Sequence, residues 1–276
     1  MDELVREDGA VIRYVRHAAR GPARARVLLV HPLAMDHSAW AGVVARLPDD
    51  IDAVAIDVRG HGRSTKGAST LGLDTATADF AALFAALGWR SAVLAGCSMG
   101  GCISIAFAQR YPELTAGLVL VDTTAFYGED APEKWGERAA KAEHEGFAAL
   151  LPFQRGRWFT EGFLAAHPEQ VERCVEVFIA NDIVTYKAAC AMLAGADLRA
   201  GLKDIDVPTA VLVGEDDYAT PPAMAQVLND GISGASLRIL PHMRHFTVVE
   251  APGEIAGAIA DVAARVASRE TVGAGA

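Results

Sequence analysis

The run Gly96-Cys97-Ser98-Met99-Gly100 sets a hydroxyl nucleophile between glycines at the two positions where a tight turn needs them. An apolar run, Ala92 to Ala95, precedes it. A segment of helical pattern carrying Gly100, Gly101, Ile103, Ala106 and Phe107 follows, as far as Pro112. A chain that turns sharply from strand into helix leaves the serine hydroxyl clear of both, and glycines on either side remove Cβ atoms that would collide. The helix N-terminus then lies beneath the reacting centre, where its free N–H groups favour developing negative charge. The strand before and the helix after separate this reading from the bland one, a glycine-rich turn with an incidental serine. The chemistry expected of Ser98 is nucleophilic attack.

A serine hydroxyl needs a base, and the base needs a group that holds it. After a strand–serine–helix turn, the acid and then the base follow along the chain. Of the eight histidines, His17, His31, His37 and His61 precede Ser98, and His144 and His167 fall in a helical stretch, leaving His242 and His245. Both follow the apolar run ending Ile239-Leu240. His245 is favoured because Phe246 and the helix start Glu250-x-Pro252 follow it, whereas His242 sits directly after Pro241, nearer the strand end. The acid should end a strand before that histidine. Val211-Leu212-Val213 runs into Gly214-Glu215-Asp216-Asp217, so Asp216 and Asp217 both qualify, and Asp122, after Leu118–Val121, is a third candidate read as structural. A tetrahedral oxyanion needs two N–H donors. Met99, next to the nucleophile, supplies one. The other is expected from His31-Pro32-Leu33 after the Val27–Val30 strand; Pro32 has no N–H, so Leu33 is the candidate.

The elements that position these groups are short apolar runs alternating with helical periodicity. Val27–Val30, Val54–Ile56, Ala92–Ala95, Leu118–Val121 and Ala210–Val213 read as strands covered on both faces, as in a mainly parallel sheet. Phe80, Leu83, Phe84 and Leu87 form a helical stripe ended by Gly88, and Ile255, Ile259, Val262 and Val266 form another after Pro252. The segment from Gly9 to Ala18 is expected to add an early, antiparallel strand. The alternation breaks between Thr124 and Asp204, which reads as helical throughout. The expected fold is therefore α/β, a mainly parallel sheet with helices on both faces and an all-helical insertion. Residues 1–123 and 205–276 would form the core and 124–204 a helical cap; the tail from Thr271 to Ala276 is expected to fray.

Taken together, these motifs resemble the α/β-hydrolase fold superfamily over nearly the whole chain. His31-Pro32-Leu33 is similar to its oxyanion turn, with proline in place of the usual glycine. Asp57-Val58-Arg59-Gly60-His61-Gly62-Arg63-Ser64 is similar to its D-x-R-G-x-G-x-S loop. Gly214-Glu215-Asp216-Asp217 with Thr220-Pro221 resembles the acid turn whose fourth residue is the triad aspartate, which favours Asp217. Arg244-His245-Phe246 with Glu250-Ala251-Pro252 resembles the histidine segment, with arginine where glycine is common. Within the insertion, Arg157-Trp158-Phe159-Thr160, His167-Pro168, Tyr186-x-x-x-Cys190 and Ala196-Asp197-Leu198-Arg199 look like the cap of the 3-oxoadipate enol-lactonases. That resemblance implies opening of a carboxylate-bearing enol-lactone or ester by acyl transfer, with carbon–carbon or amide hydrolysis, or slow-turnover reception of a small molecule, as rivals. An anionic substrate calls for a cation, and Arg155 and Arg157, beside Trp158, are the candidates, with Trp135 and Trp158 as substrate walls.

Composition fits that reading. The chain has 276 residues, 51% of them hydrophobic and 22% charged, with a net charge of -10 and no basic stripe, which argues against a nucleic-acid partner. Cys97, Cys102, Cys174 and Cys190 show no metal or disulfide spacing, and His31 and His61 with Asp57 make no recognisable ligand set. No metal or cofactor is implied. The acidic start and the lack of a spanning apolar run point to a cytoplasmic protein without membrane attachment, acting on a small molecule; a homo-oligomer stays open.

Overall fold

The computed structural model describes residues 1–273. Eight strands form one sheet: β1 (Asp2–Val5), β2 (Val11–His17), β3 (Ala25–Val30), β4 (Ile51–Ile56), β5 (Ala92–Cys97), β6 (Thr115–Val121), β7 (Thr209–Gly214) and β8 (Ser236–Leu240). They lie in the order β1-β2-β4-β3-β5-β6-β7-β8. The pairs β1–β2 and β2–β4 are antiparallel, and every pairing from β4 across to β8 is parallel. The early antiparallel strand is β2, which pairs with β1 as a second one.

Alternation along the strands sorts their side chains onto two faces. Leu28, Val30, Val54, Ile56, Leu94, Leu118 and Leu120 point to one side, where Phe80, Leu83 and Phe84 of α2 (Leu73–Leu87) and Ile103 and Phe107 of α3 (Met99–Arg110) cover them. Val27, Leu29, Ala53, Ala55, Val93, Ala95, Val119 and Val121 point to the other. There they meet Val43 of the short α1 (Ala41–Val44) and Ile255, Ile259 and Val262 of α11 (Pro252–Gly273). Neither face is left to solvent, which is why the strands carry continuous apolar runs. Gly88 closes α2 in the left-handed conformation that lacks a Cβ penalty. Of the tail expected to fray, Thr271–Gly273 continue α11, and the rest lies outside the described residues.

Between β6 and β7 the chain is helical: α4 (Ala131–Glu145), α5 (Leu151–Trp158), α6 (Glu161–Ala166), α7 (Pro168–Ile179) and α8 (Ile183–Ala194). Where the chain leaves and re-enters the sheet its two ends are tied together. Phe126 and Asp197 form a β-bridge, and the Leu198 N–H donates to the Ala125 carbonyl at 2.9 Å. After β7 come α9 (Pro222–Gly231), β8 and the single turn α10 (Thr247–Glu250). Among the described residues no single helix is long and apolar enough to cross a membrane.

Candidate active site

Ser98 stands between β5 and α3 with φ +52° and ψ −115°, a conformation an L-residue adopts only when its surroundings impose it. Those surroundings are on both sides. Its N–H donates to the Val121 carbonyl at 2.9 Å, and its carbonyl accepts from the Thr123 hydroxyl at 2.7 Å and the Cys102 N–H at 3.0 Å. A Cβ on Gly96 would run into the Gly100 carbonyl, and one on Gly100 into the Val30 carbonyl. Both glycines are thus required by close backbone approach. The turn they permit lifts Ser98 to the carboxyl end of the central strands.

His245 reaches this point from the loop between β8 and α10. Ser98 Oγ donates to His245 Nε2 at 2.9 Å, and His245 Nδ1 donates to Asp217 Oδ2 at 2.8 Å. Asp217 follows β7 and is fixed by three further donors: the Ala219 N–H at 2.7 Å, the Thr220 N–H at 3.0 Å and the Thr220 hydroxyl at 2.9 Å. All three side chains are buried. Burial opposes ionisation of Asp217, but the His245 charge, the hydrogen bond to it and the loop N–H groups win and lower its pKa. Burial likewise pulls His245 down, yet the charge and hydrogen bond of Asp217, aided by Asp122, leave its pKa raised.

The alternatives fall elsewhere. Asp216 is exposed, and its N–H donates to the Met243 carbonyl. His242 is exposed beside Glu215. Asp122 is fully buried, but its Oδ1 accepts from the Gly214 N–H at 3.1 Å and its Oδ2 from the N–H and hydroxyl of Thr247 at 3.0 and 2.7 Å. It ties the acid turn to the histidine loop without touching His245. Burial, reinforced by the charge of Asp217, raises its pKa.

Met99 is the first residue of α3, so no carbonyl four residues back in the helix takes its N–H. Leu33 lies in the turn after β3, where Ala34 has φ +59° and the Met35 N–H donates to the Pro32 carbonyl at 3.1 Å. Among the described residues neither Leu33 nor Met99 spends its N–H on a protein acceptor. The contact of Gly100 with the Val30 and His31 backbone sets this turn beside the start of α3. His31 holds the turn's base: its Nδ1 donates to the Pro32 carbonyl at 2.8 Å and its Nε2 accepts from the Val58 N–H at 3.0 Å. Behind it, Asp57 accepts from the N–H groups of His37 and Arg63 and from His37 Nδ1. Asp36, His37 and Asp57 place potential ligand atoms within 4.8 Å of one another, but those atoms are already engaged, Asp36 with Ser38 and Asp57 with His37.

The insertion brings only part of the expected set to Ser98. Arg155 is exposed and ion-paired with Glu172 at 3.0 Å. Arg157 is half-buried, lies over the Phe153 ring and donates to the Tyr218 carbonyl at 2.6 Å, one residue beyond Asp217. Trp158 is buried and stacks on Phe246 with ring centres 4.9 Å apart. Trp135 is partly buried and packs edge-on against Tyr127 at 5.4 Å. The Tyr127 hydroxyl is buried without a hydrogen-bond partner, next to the Ser98 side chain.

Arg138 is a residue that the sequence reading missed. Its guanidinium lies 5.1 Å from the Trp135 ring centre, and its Nε donates to the Tyr186 hydroxyl at 2.6 Å. Among the described residues it has no carboxylate partner, and its charge acts on His245, opposing the imidazolium. A signal existed in the spacing Trp135-x-x-Arg138, one helical turn, which puts a cation over an indole. It carried no weight alone, because α4 is an amphipathic helix rich in charged residues.

Residues 25–252 match a family model described as alpha/beta hydrolase fold. The chain is 30% identical to 3-oxoadipate enol-lactonase 2 of Acinetobacter baylyi, over 91% of this chain and 92% of that one. The structure superimposes on the enol-lactonase from Burkholderia xenovorans with a TM-score of 0.88 at 30% identity, covering 95% of this chain and 99% of the other. It also matches a malate-bound thermophilic esterase from Thermogutta terrifontis, with a TM-score of 0.85 and 26% identity over 96% of this chain and 98% of the other.

Proposed function

The chain belongs to the α/β-hydrolase fold family, and from that premise we propose that it is a serine hydrolase acting by acyl transfer on a small, carboxylate-bearing enol-lactone or ester. The observation that carries this is the continuous line of hydrogen bonds from Ser98 through His245 to Asp217, aligned at the mouth of a strand–helix turn. Ser98 Oγ attacks the carbonyl carbon while His245 Nε2 takes its proton; Asp217 holds the imidazole with Nδ1–H inward and stabilises its charged form. The N–H groups of Leu33 and Met99 receive the oxyanion, with the N-terminus of α3 behind them. Collapse of the tetrahedral intermediate expels the enolate or alkoxide, protonated by His245, and water activated by the same imidazole then releases the acid. An enolate leaves more readily than an alkoxide, so the opening of an enol-lactone ring suits a site with a single acid–base residue.

The helical insertion serves as the cap. Arg155 and Arg157 are committed to Glu172 and the Tyr218 carbonyl, so the cation for a substrate carboxylate is Arg138, whose terminal nitrogens have no acidic partner among the described residues. Trp135, beneath that guanidinium, packs on Tyr127, whose hydroxyl lies next to Ser98. Four free cysteines fit a reducing, cytoplasmic setting. The test is hydrolysis of p-nitrophenyl acetate and of an enol-lactone, followed by absorbance. Ser98→Ala should lower both rates by about 10⁴-fold or more. Retained turnover in that variant would sink the reading.

A further inference from the structure

The backbone N–H of His245 finds its acceptor outside the sheet domain. The N–H of His245 donates to the Arg157 carbonyl at 3.2 Å, and the N–H of Phe246 to the Trp158 carbonyl at 2.9 Å. Both acceptors belong to the last turn of α5, whose carbonyls have no partner further along the helix. Arg244 reinforces the contact: its Nη1 donates to the Gly156 carbonyl at 2.7 Å and to the Phe159 carbonyl at 2.9 Å. The charge lies at the C-terminal end of α5, where the helix dipole favours a cation. Trp158 stacks on Phe246, and Thr160 donates its N–H to Glu250 at 3.2 Å and its hydroxyl to the same carboxylate. On the sheet side, Asp216 donates to the Met243 carbonyl at 2.9 Å, and Gly214 packs against the Met243 and Arg244 carbonyls. The loop that carries His245 is therefore held between β7 and the end of α5.

We propose that Arg244 is a positioning residue that fixes the His245 loop to the C-terminus of α5, so that the cap helix, as well as the sheet, sets where the imidazole stands. A glycine here would leave the Gly156 and Phe159 carbonyls to water and let the end of α5 lift from the loop. The consequence falls on His245 because its own N–H and that of Phe246 reach the same turn of helix. The proposal rests on His245 being the base of the hydrolase read above. It predicts a loss in the chemical step with little loss of binding, because the Arg244 guanidinium is engaged by the helix end.

The test compares wild type, Arg244→Ala, Arg244→Lys and Ser98→Ala on p-nitrophenyl acetate. Arg244→Ala should lower kcat about 10- to 100-fold with KM nearly unchanged, since small misplacement of a base costs rate on that scale. Arg244→Lys, which keeps a cation able to reach one carbonyl, should recover part of the loss. The low-field proton resonance of the His245–Asp217 hydrogen bond should broaden or vanish in Arg244→Ala and persist in wild type. If Arg244→Ala does not fold, Arg244→Lys and Arg244→Gln carry the test through the same kcat and resonance measurements. Wild-type kcat and an intact resonance in the folded Arg244 variants, with Ser98→Ala inactive, would overturn the positioning role and leave the hydrolase reading standing. An active Ser98→Ala would overturn both.

Discussion

Thr247 gives both its backbone N–H and its hydroxyl to one oxygen of Asp122, two residues beyond His245. The other oxygen of Asp122 takes the Gly214 N–H, three residues before Asp217. A buried carboxyl group at the end of β6 thus spans the two loops that carry Asp217 and His245, and when ionised its charge supports the protonated form of His245. The base works only when neutral. A pKa raised above the ordinary 6.5 means that kcat/KM should fall as pH drops through a value above 6.5. Above its own pKa, which burial and the charge of Asp217 push up to about 8, Asp122 carries one of the charges that raise that of His245; Asp122→Asn removes that charge, so the acid limb should move to lower pH. A pH–rate profile of both proteins on a neutral ester decides this; an unmoved limb would separate Asp122 from the titration of His245.

The backbone of Ser98 offers a second expectation. Its positive φ costs on the order of 1–3 kcal/mol for a residue with a Cβ. Ser98→Gly and Ser98→Ala are both expected to be inactive, but the glycine variant should be the more stable by about 1 kcal/mol despite its larger unfolded-state entropy. Thermal unfolding of the two side by side measures the difference.

Glycine in the elbow and glycine in a helix should respond in opposite directions. Gly100→Ala drives a Cβ into the Val30 carbonyl, a backbone group that cannot step aside, and should cost about 3 kcal/mol. Gly257→Ala in α11 meets nothing within 4 Å and should stabilise by about 0.5–1 kcal/mol. Urea midpoints report both.

Arg138→Ala should raise KM for an ester bearing a distal carboxylate about 10- to 100-fold, the scale of a hydrogen bond to a charged group. The KM of a neutral ester of the same length should change little. Equal effects on the two substrates would remove Arg138 from carboxylate recognition, and the Arg155→Ala variant supplies the contrast, since its guanidinium is spent on Glu172.

Ser98, His245 and Asp217 were legible because each sits where a strand ends, and strand ends leave marks in sequence: an apolar run, then glycine or acid, then the start of a helix. The apolar stripes of α2 and α11 were legible for the same reason, as periodicity within one element. What sequence did not reveal lies between elements. Arg138 meets Tyr186 only because α4 packs on α8, 48 residues apart. Arg157 looked like a substrate cation because arginine beside tryptophan suits an anion; its side chain instead finds the Tyr218 carbonyl, a partner 61 residues away. Arg244 stood out as a departure from the family's usual glycine, but its role depends on where α5 ends. The three extra donors on Asp217 from the 219–220 turn are local, and the Asp217-x-x-Thr220 spacing could have separated it from Asp216 without any resemblance.

The tie between Phe126 and Asp197 makes the helical insertion a module with a single narrow root, one that could be exchanged for another without disturbing strand register. Further attachments limit that freedom: Asn181 donates to the Ala34 carbonyl at 2.8 Å, Lys66 pairs with Asp182 at 3.0 Å, and the end of α5 holds the loop after β8. A transplanted cap would arrive with its own α5, and unless Arg244, Phe246 and Glu250 travelled with it as part of the graft, the recipient's histidine would lose its footing. With the cap and the triad as proposed, substrate range and catalytic competence would be inherited together, and a recombination boundary that respects both must include the loop after β8.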